Sequence, residues 1–279
     1  EEEHFGRAAE ACFVTQSTLS AGIQELEMLL GASLAERTKR TVLLTPLGLK
    51  LSARARTVLR EVEDIVLMAA NEQTPLNGEL KLGVIPTITP YLLPRVLPQI
   101  RKEFPELKLY LREDLTARLL DKMSLGKLDA VLLALPYDMD GVKTMELGSD
   151  AFQLACPPDH RFAKKDGITS LELEGEPLML LEEGHCLRQH ALEACALEGR
   201  SRGEGFEATS LQTLVQMVAN GLGLTMIPQM AIDSGLTLGL DIALVPFKDA
   251  NVSRRIGLAW RRTSARESEF KILGGFFSI

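Results

Sequence analysis

Two thiols of this chain share one short segment, Gly184-His185-Cys186-Leu187-Arg188-Gln189-His190-Ala191-Leu192-Glu193-Ala194-Cys195. If that segment is helical, the nine residues from Cys186 to Cys195 turn through roughly 900° and rise about 13 Å, which sets the sulfurs on opposite faces. A disulfide tolerates a Cα separation of only about 4.4–6.8 Å, so the helix must open before such a bond can close. Cys186 opens the helix beside His185 and one turn from Arg188, an arrangement that favours the thiolate and its attack on an oxidant. Cys195 could then act as a resolving thiol. The same pair reads equally well as two small buried hydrophobes, the common fate of free cysteine, and the spacing belongs to no established motif. The other two thiols read as core residues: Cys12 on the inward stripe of a helix, Cys156 at the end of an apolar strand. His160 and His190 read as exposed. No His, Cys and carboxylate cluster has metal-ligand spacing, so neither metal nor cofactor is expected.

The frame that must hold these residues is long enough, at 279, for two or three domains. A chain that is 46% hydrophobic, 25% charged and 5% aromatic is globular, which excludes disordered and fibrous classes. The net charge of −7 excludes a wholly basic nucleic-acid binder and confines any DNA site to a local patch. No apolar run approaches the roughly 18 residues of a membrane span, and Glu1-Glu2-Glu3-His4 is unlike a signal peptide, so a cytoplasmic location without membrane contact is expected. Four cysteines are too few for a secreted disulfide framework, and no C-x-x-C suggests zinc. The missing initiator Met suggests that residues precede Glu1.

Small apolar residues from Phe5 to Cys12 predict one helix, and Leu19, Ile23, Leu26 and Leu30 predict a second over 16–30, with Thr15 as N-cap and Gly31 as its stop. Gln16, Ser17, Thr18, Ser20 and Gln24 fall on the opposite side, where they can face a DNA groove, as in a helix-turn-helix whose second helix reads the bases. A hairpin over 34–45 carries Arg37, Lys39 and Arg40 at its tip. It reads either as a phosphate-contacting wing or as a solvated basic turn. Thr45-Pro46 opens a long helix to about residue 72, along which Leu51, Ala55, Val58, Val62, Ile65 and Ala69 repeat with the period of a coiled-coil seam. That seam predicts dimerisation, against the plainer reading of a monomer's core helix. Residues 71–78 read as a hinge. Beyond it, strands at 80–85, 107–111 and 130–135 alternate with helices at 91–103 and 116–125. After an apolar strand at 147–156 come a strand at 178–181, the cysteine helix, a helix at 210–220 and a strand at 224–227, with 245–247 and 255–260 available to return to the first sheet. The fold class expected is α+β multidomain: winged helix-turn-helix at 1–45, linker helix and hinge at 46–77, and at 78–279 two α/β lobes. By fold analogy the lobes resemble periplasmic binding proteins.

His4-Phe5-Gly6-Arg7-Ala8-Ala9-Glu10, Thr15-Gln16-Ser17-Thr18-Leu19-Ser20, Ile23-Gln24-Glu25-Leu26-Glu27, Leu30-Gly31, Arg37 and Thr45-Pro46-Leu47-Gly48 together resemble the DNA-binding domain of LysR-type transcriptional regulators. Ser17 stands where many relatives carry proline, and most of that domain's first helix lies outside the sequence. Within the family, Gly83-Val84-Ile85-Pro86-Thr87, Pro90-Tyr91-Leu92-Leu93-Pro94, Leu128-Asp129-Ala130, Gly184-His185-Cys186-Leu187-Arg188, Ala194-Cys195 and Ala208-Thr209-Ser210-Leu211 resemble members that sense hydrogen peroxide. The resemblance implies that Cys186 is a peroxidatic thiol, oxidised to a sulfenic acid, and that Cys195 resolves it as a disulfide. It also implies that Thr87 and Thr116 hold peroxide or its bound water, supported by His185 and Arg188. Read without it, the threonines could cap helices and His185 and Arg188 could be surface residues. Gln189 departs from the Asp that relatives often place after the Arg.

The function expected is therefore a peroxide-activated, non-enzymatic transcription regulator. Its partners would be double-stranded DNA, hydrogen peroxide, further copies of itself as a dimer through the linker helix and a tetramer, and RNA polymerase. Two alternatives stand beside it: a LysR-type regulator that answers a small metabolite between the lobes with inert cysteines, and a thiol peroxidase, against which the DNA-binding segment weighs.

Overall fold

The computed structural model describes residues 2, 4–37, 42–71, 75–137, 140–194 and 207–279. Contacts divide the chain into residues 1–63 and 64–279.

In the first unit, α1 (Phe5–Ala11) and α2 (Gln16–Leu30) are joined by a tight turn. The His4 ring accepts the Gly6 N–H at 3.1 Å, capping α1, and the Thr15 hydroxyl accepts the Thr18 N–H at 3.2 Å, capping α2. Strand β1 (Ala35–Arg37) pairs antiparallel with β2 (Val42–Leu44). The Glu27 carboxylate ties this ribbon to α2 by accepting the N–H groups of Leu34 and Ala35 at 2.7 and 3.2 Å. Then α3 (Pro46–Asn71) begins where Thr45 accepts the Gly48 N–H at 3.0 Å. A Cβ at Gly48 would lie 2.0 Å from the Leu34 carbonyl oxygen, so only glycine lets this first turn close on the ribbon. The apolar stripe of α2 is only partly covered: Leu19, Ile23 and Leu26 line a cavity of about 610 Å³. Cys12 is exposed, not in the core. The helix ends at Ala11 and Cys12 caps it, leaving the 3.6-residue repeat that buries Ala9.

The second unit opens with β3 (Gly78–Val84), α4 (Thr89–Glu103), β4 (Leu107–Glu113), α5 (Thr116–Ser124) and β5 (Ala130–Leu135), with β3 lying parallel between β4 and β5. This is the βαβαβ run the sequence predicts. All six residues of β5 are buried, as a central strand covered on both faces requires. After it β6 (Val142–Cys156) runs for 15 residues, pairing with β11 (Ser253–Arg261) over its first part. From Phe152 it pairs instead with β9 (Thr225–Pro228) and β10 (Ala243–Pro246). One strand thus leaves the first lobe for the second, and β11, paired with both β5 and β6, brings the chain back. The second lobe adds β7 (Leu180–Leu181), α6 (Cys186–Ala194), β8 (Glu207–Ala208), α7 (Leu211–Ala219) and α8 (Gln229–Asp233), and α9 (Glu267–Phe276) closes the chain. Cys156 is buried in the core, as expected.

Two buried charge clusters fix this unit. Arg254 on β11 bonds the Asp150 carboxylate of β6 at 2.8 and 3.0 Å, and gives its remaining donors to the Thr87 hydroxyl and carbonyl at 2.8 and 3.0 Å. Asp150 also accepts the Met230 N–H of α8 at 2.9 Å. Near the start of the unit Glu269, fully buried, accepts the Leu76 N–H at 3.1 Å and the Arg266 guanidinium at 2.6 Å, while Arg266 reaches the Glu79 carbonyl at 2.8 Å.

Leu187 and Ala191 bury one face of α6, and His190 shares that face rather than facing solvent, correcting the expectation of exposure. Its Nδ1 has no hydrogen-bond partner. His160 is also partly buried, against Phe162 with ring centroids 5.0 Å apart and 3.6 Å from the Glu176 carboxylate. Burial lowers the pKa of both His185 and His190, outweighing the nearby carboxylates of Glu182 and Glu193.

Replacing Asp150 by Ala leaves the Arg254 charge buried and half unpaired, a loss of about 3–5 kcal/mol. Calorimetry is expected to show the second unit melting roughly 10 °C lower, and an unchanged midpoint would show that the clamp carries no load. For the histidines the native state binds fewer protons than the unfolded chain below pH about 6.5, so stability is complete above that pH and falls as pH drops. Urea titrations between pH 7 and 5 should show a loss of up to about 1.4 kcal/mol per pH unit for each histidine, and His190→Gln should remove its share of that slope.

Candidate functional site

The segment that carries Cys186 enters through Gly184, whose φ of +97° turns the chain in a way side-chain-bearing residues resist. The Arg188 N–H then bonds the His185 carbonyl at 3.1 Å, and α6 starts at Cys186. The Cys186 thiol is free and half-buried. Arg188 folds back to donate to the Leu181 carbonyl at 3.0 Å, holding the helix start against β7. His185 is 8% exposed, with Nε2 3.9 Å from the Glu182 carboxylate. Because burial lowers its pKa from an ordinary value of 6.5, its ring is uncharged near neutral pH.

Cys186 opens on a cleft of about 490 Å³ that faces α5 of the first lobe. Thr116, His185, Cys186 and Arg188 share its wall, so four of the residues singled out from the sequence come together, while Ala117, Tyr137 and Leu192 add less polar surface to the lining. Thr116 is 2% exposed and its hydroxyl has no hydrogen-bond partner. It is the first residue of α5, not its N-cap, so the hydroxyl does not serve the helix. A buried hydroxyl without a partner costs about 1–3 kcal/mol, and in a polar cleft it marks a place for water or a hydroxylic ligand.

Thr87 is not on the cleft wall. It lies beyond the end of β3, buried, with its oxygen accepting from Arg254. The Thr87 hydroxyl proton is thereby left to be donated elsewhere. Sequence reasoning missed Arg254 and Asp150. The local sign was a charge at an inward position of the apolar strand Ile256-Gly257-Leu258-Ala259-Trp260, continued backwards through Arg254. Tyr91, quoted only as part of a motif, is buried as well: burial pushes its phenol up to about 12, against the lowering effect of Arg254.

On the other unit, Gln16, Ser17, Thr18 and Gln24 are exposed and Ser20 is half-buried, all on α2. The Thr15 hydroxyl also bonds those of Ser17 and Thr18 at 2.9 and 2.8 Å. Arg37 ends β1. Lys39, Arg40 and Cys195 lie outside the described residues. Among the described residues no group of three or more His, Cys, Asp or Glu could hold a metal ion, and no helix is long and apolar enough to cross a membrane.

The profile of the bacterial regulatory helix-turn-helix proteins of the lysR family matches residues 1–49, and that of the LysR substrate binding domain matches residues 73–274. The HTH-type transcriptional regulator EstR of Acinetobacter baylyi is 41% identical over 97% of this chain and 89% of its own length. A hydrogen peroxide-inducible genes activator of Escherichia coli is 40% identical over 98% of this chain and 89% of its own. Among solved structures, a full-length cysteine-to-aspartate variant of OxyR from Pseudomonas aeruginosa superposes with a TM-score of 0.81 at 38% identity, covering 99% of this chain and 90% of that one. With the reading helix, the crossing strands and both profiles in agreement, the chain belongs to the LysR family of bacterial transcriptional regulators.

Proposed function

We propose that this regulator answers hydrogen peroxide through Cys186. The observation that carries the reading is the shared wall of the cleft, where the free thiol, Arg188 and the unpartnered Thr116 hydroxyl meet. The Cys186 thiolate attacks one peroxide oxygen, the O–O bond breaks, and the second oxygen leaves as hydroxide, with Arg188 and Thr116 as donors to the departing charge. Sulfur is oxidised by two electrons to a sulfenic acid, and the peroxide is reduced. His185 lines the same cleft, and Thr87, off its wall and held by Arg254, supports peroxide or its bound water from the loop behind. The Cys195 thiol then attacks the sulfenic sulfur, expels water and leaves a disulfide.

That second step requires α6 to come apart. With the helix intact from Cys186 to Ala194, its ends are about 12 Å apart. A residue directly following Ala194 stays about 8 Å or more from Cys186 Cα, because consecutive Cα atoms are about 3.8 Å apart. This exceeds the reach of a disulfide. Closing the bond therefore unwinds α6 and strips Leu187, Ala191 and His190 from their packing, which is how oxidation reshapes the second lobe.

DNA is read by Gln16, Ser17, Thr18, Ser20 and Gln24, with Arg37, Lys39 and Arg40 placed on phosphates. Residues 1–45 form the DNA-binding domain, 46–77 the linker and 78–279 the sensor. Two copies pair along α3, where Val58, Val62 and Ile65 are 62%, 53% and 65% exposed in the single chain. Dimers join as tetramers, and oxidised tetramers engage RNA polymerase. A second reading, in which an organic inducer occupies the cleft and the thiols are inert, is favoured by the cleft's volume of about 490 Å³.

Footprinting on the chain's own promoter region before and after peroxide separates the two. The wild-type protein is expected to shift its footprint and to yield a peptide linking Cys186 to Cys195, while Cys186→Ser does neither. A shift that survives in Cys186→Ser removes the peroxide reading.

A further inference from the structure

The cleft before Cys186 is far larger than hydrogen peroxide requires. A water molecule takes up about 30 Å³ in the liquid, and peroxide is little bigger. The cleft, at about 490 Å³, lies within the range of sites that hold organic molecules. Its wall is mixed as well. Thr116 and His185 are buried, Cys186, Arg188 and Leu192 are half-buried, and Ala117 and Tyr137 stand exposed at the mouth. The Glu183 carboxylate lies on the same margin, where it would repel an anion. Gln189 adds an amide whose NH₂ is turned to Glu193 at 2.6 Å.

We propose that Cys186 also reduces uncharged organic hydroperoxides, the peroxy end lying between Thr116 and Arg188 and the carbon skeleton against Ala117, Tyr137 and Leu192. The proposal rests on the peroxide chemistry assigned above to Cys186. The thiolate attacks the terminal oxygen of R–O–OH, the O–O bond breaks, and the electron pair leaves on the alkoxide. The alkoxide takes a proton from solvent to become the alcohol. Sulfur gains the OH as a sulfenic acid, oxidised by two electrons, and the hydroperoxide is reduced by the same two. Nothing else is consumed. An apolar wall adds binding to the organic substrate that hydrogen peroxide cannot use, offsetting the steric cost of its bulk.

The test is single-turnover oxidation of the reduced full chain, followed by trapping of the Cys186 sulfenic acid and by disulfide formation, with hydrogen peroxide and with cumene hydroperoxide. The expected rate constant for cumene hydroperoxide lies within about tenfold of that for hydrogen peroxide. In Ala117→Phe, which fills the mouth, the ratio of the two should fall by about tenfold or more, a magnitude typical of a changed pocket wall. Tyr137→Ala provides a second, independent loss of wall and should lower the same ratio. A cumene reaction slower than that of hydrogen peroxide by more than about tenfold in the wild type, or a ratio unmoved in both folded variants, overturns the proposal while leaving peroxide sensing standing. Failure of both oxidants to modify Cys186 overturns the sensing reading itself, and this one with it.

Discussion

The Arg254 guanidinium is the fixed point of the sensor unit. Its side chain is fully buried and makes four hydrogen bonds, two to Asp150 and two to Thr87. Such a charge is tolerable in the interior only when paired and fully bonded, so its neighbours have little freedom. Asp150 lies on β6 close to where that strand changes lobes, Arg254 lies on the returning β11, and Asp150 also holds the first lobe-two helix turn at Met230. Thr87 comes from the loop beyond β3, the region where open α/β sheets place ligands. One charge therefore couples strand crossing, ligand loop and second lobe. Sub-ångström adjustments near Thr87 cannot be absorbed silently, because each bond broken leaves a buried charge unsatisfied.

Against that rigid frame α6 is the weak element. A nine-residue helix is too short to persist in water by itself, since nucleation costs more than so few hydrogen bonds return. It exists because Leu187, His190 and Ala191 pack on the lobe. The unpartnered Nδ1 of His190 subtracts from this stability. Segments that move in switches are drawn from the low-stability end of a structure, and α6 sits beside the clamp that is at the other end. Under the proposed thiol chemistry, the free energy of oxidation is thus directed to a short helix beside a rigid clamp.

Local signals in the sequence were legible where the physics is local. Thr15 and Thr45 cap the helices they were expected to cap, Gly31 ends α2, and the apolar run 130–135 is the buried central strand. Gly48, noticed only as part of a motif, is explained by the Leu34 carbonyl beneath it. What stayed hidden was long-range. Asp150 and Arg254 are 104 residues apart, and neither has a local pattern that names the other. Cys12 was misplaced by extending a helical stripe one residue past the helix end, and His190 by treating a polar type as a surface type. The Cys186 neighbourhood was half legible: the contiguous residues 184–188 could be read together, whereas the approach of Thr116 depended on a fold bringing α5 to face α6.

The charge of the DNA-reading unit bears on how a change in the sensor could matter at a promoter. Residues 1–63 hold eight Lys and Arg against nine Asp and Glu, so the unit has no net attraction for a polyanion. Seven of the eight cations fall between positions 37 and 60, beyond the reading helix. Binding by one copy then rests on few phosphate contacts and is correspondingly weak, with a shallow dependence on salt. Under the proposed pairing along α3 the second copy binds at a high effective concentration, which multiplies affinity only if both reading helices reach their half-sites together. A weak single unit is what makes geometry decisive. If each copy bound tightly alone, reorienting the partner would change occupancy little; because it does not, unwinding α6 in the sensor can alter which half-sites are held without any change at the DNA-reading residues.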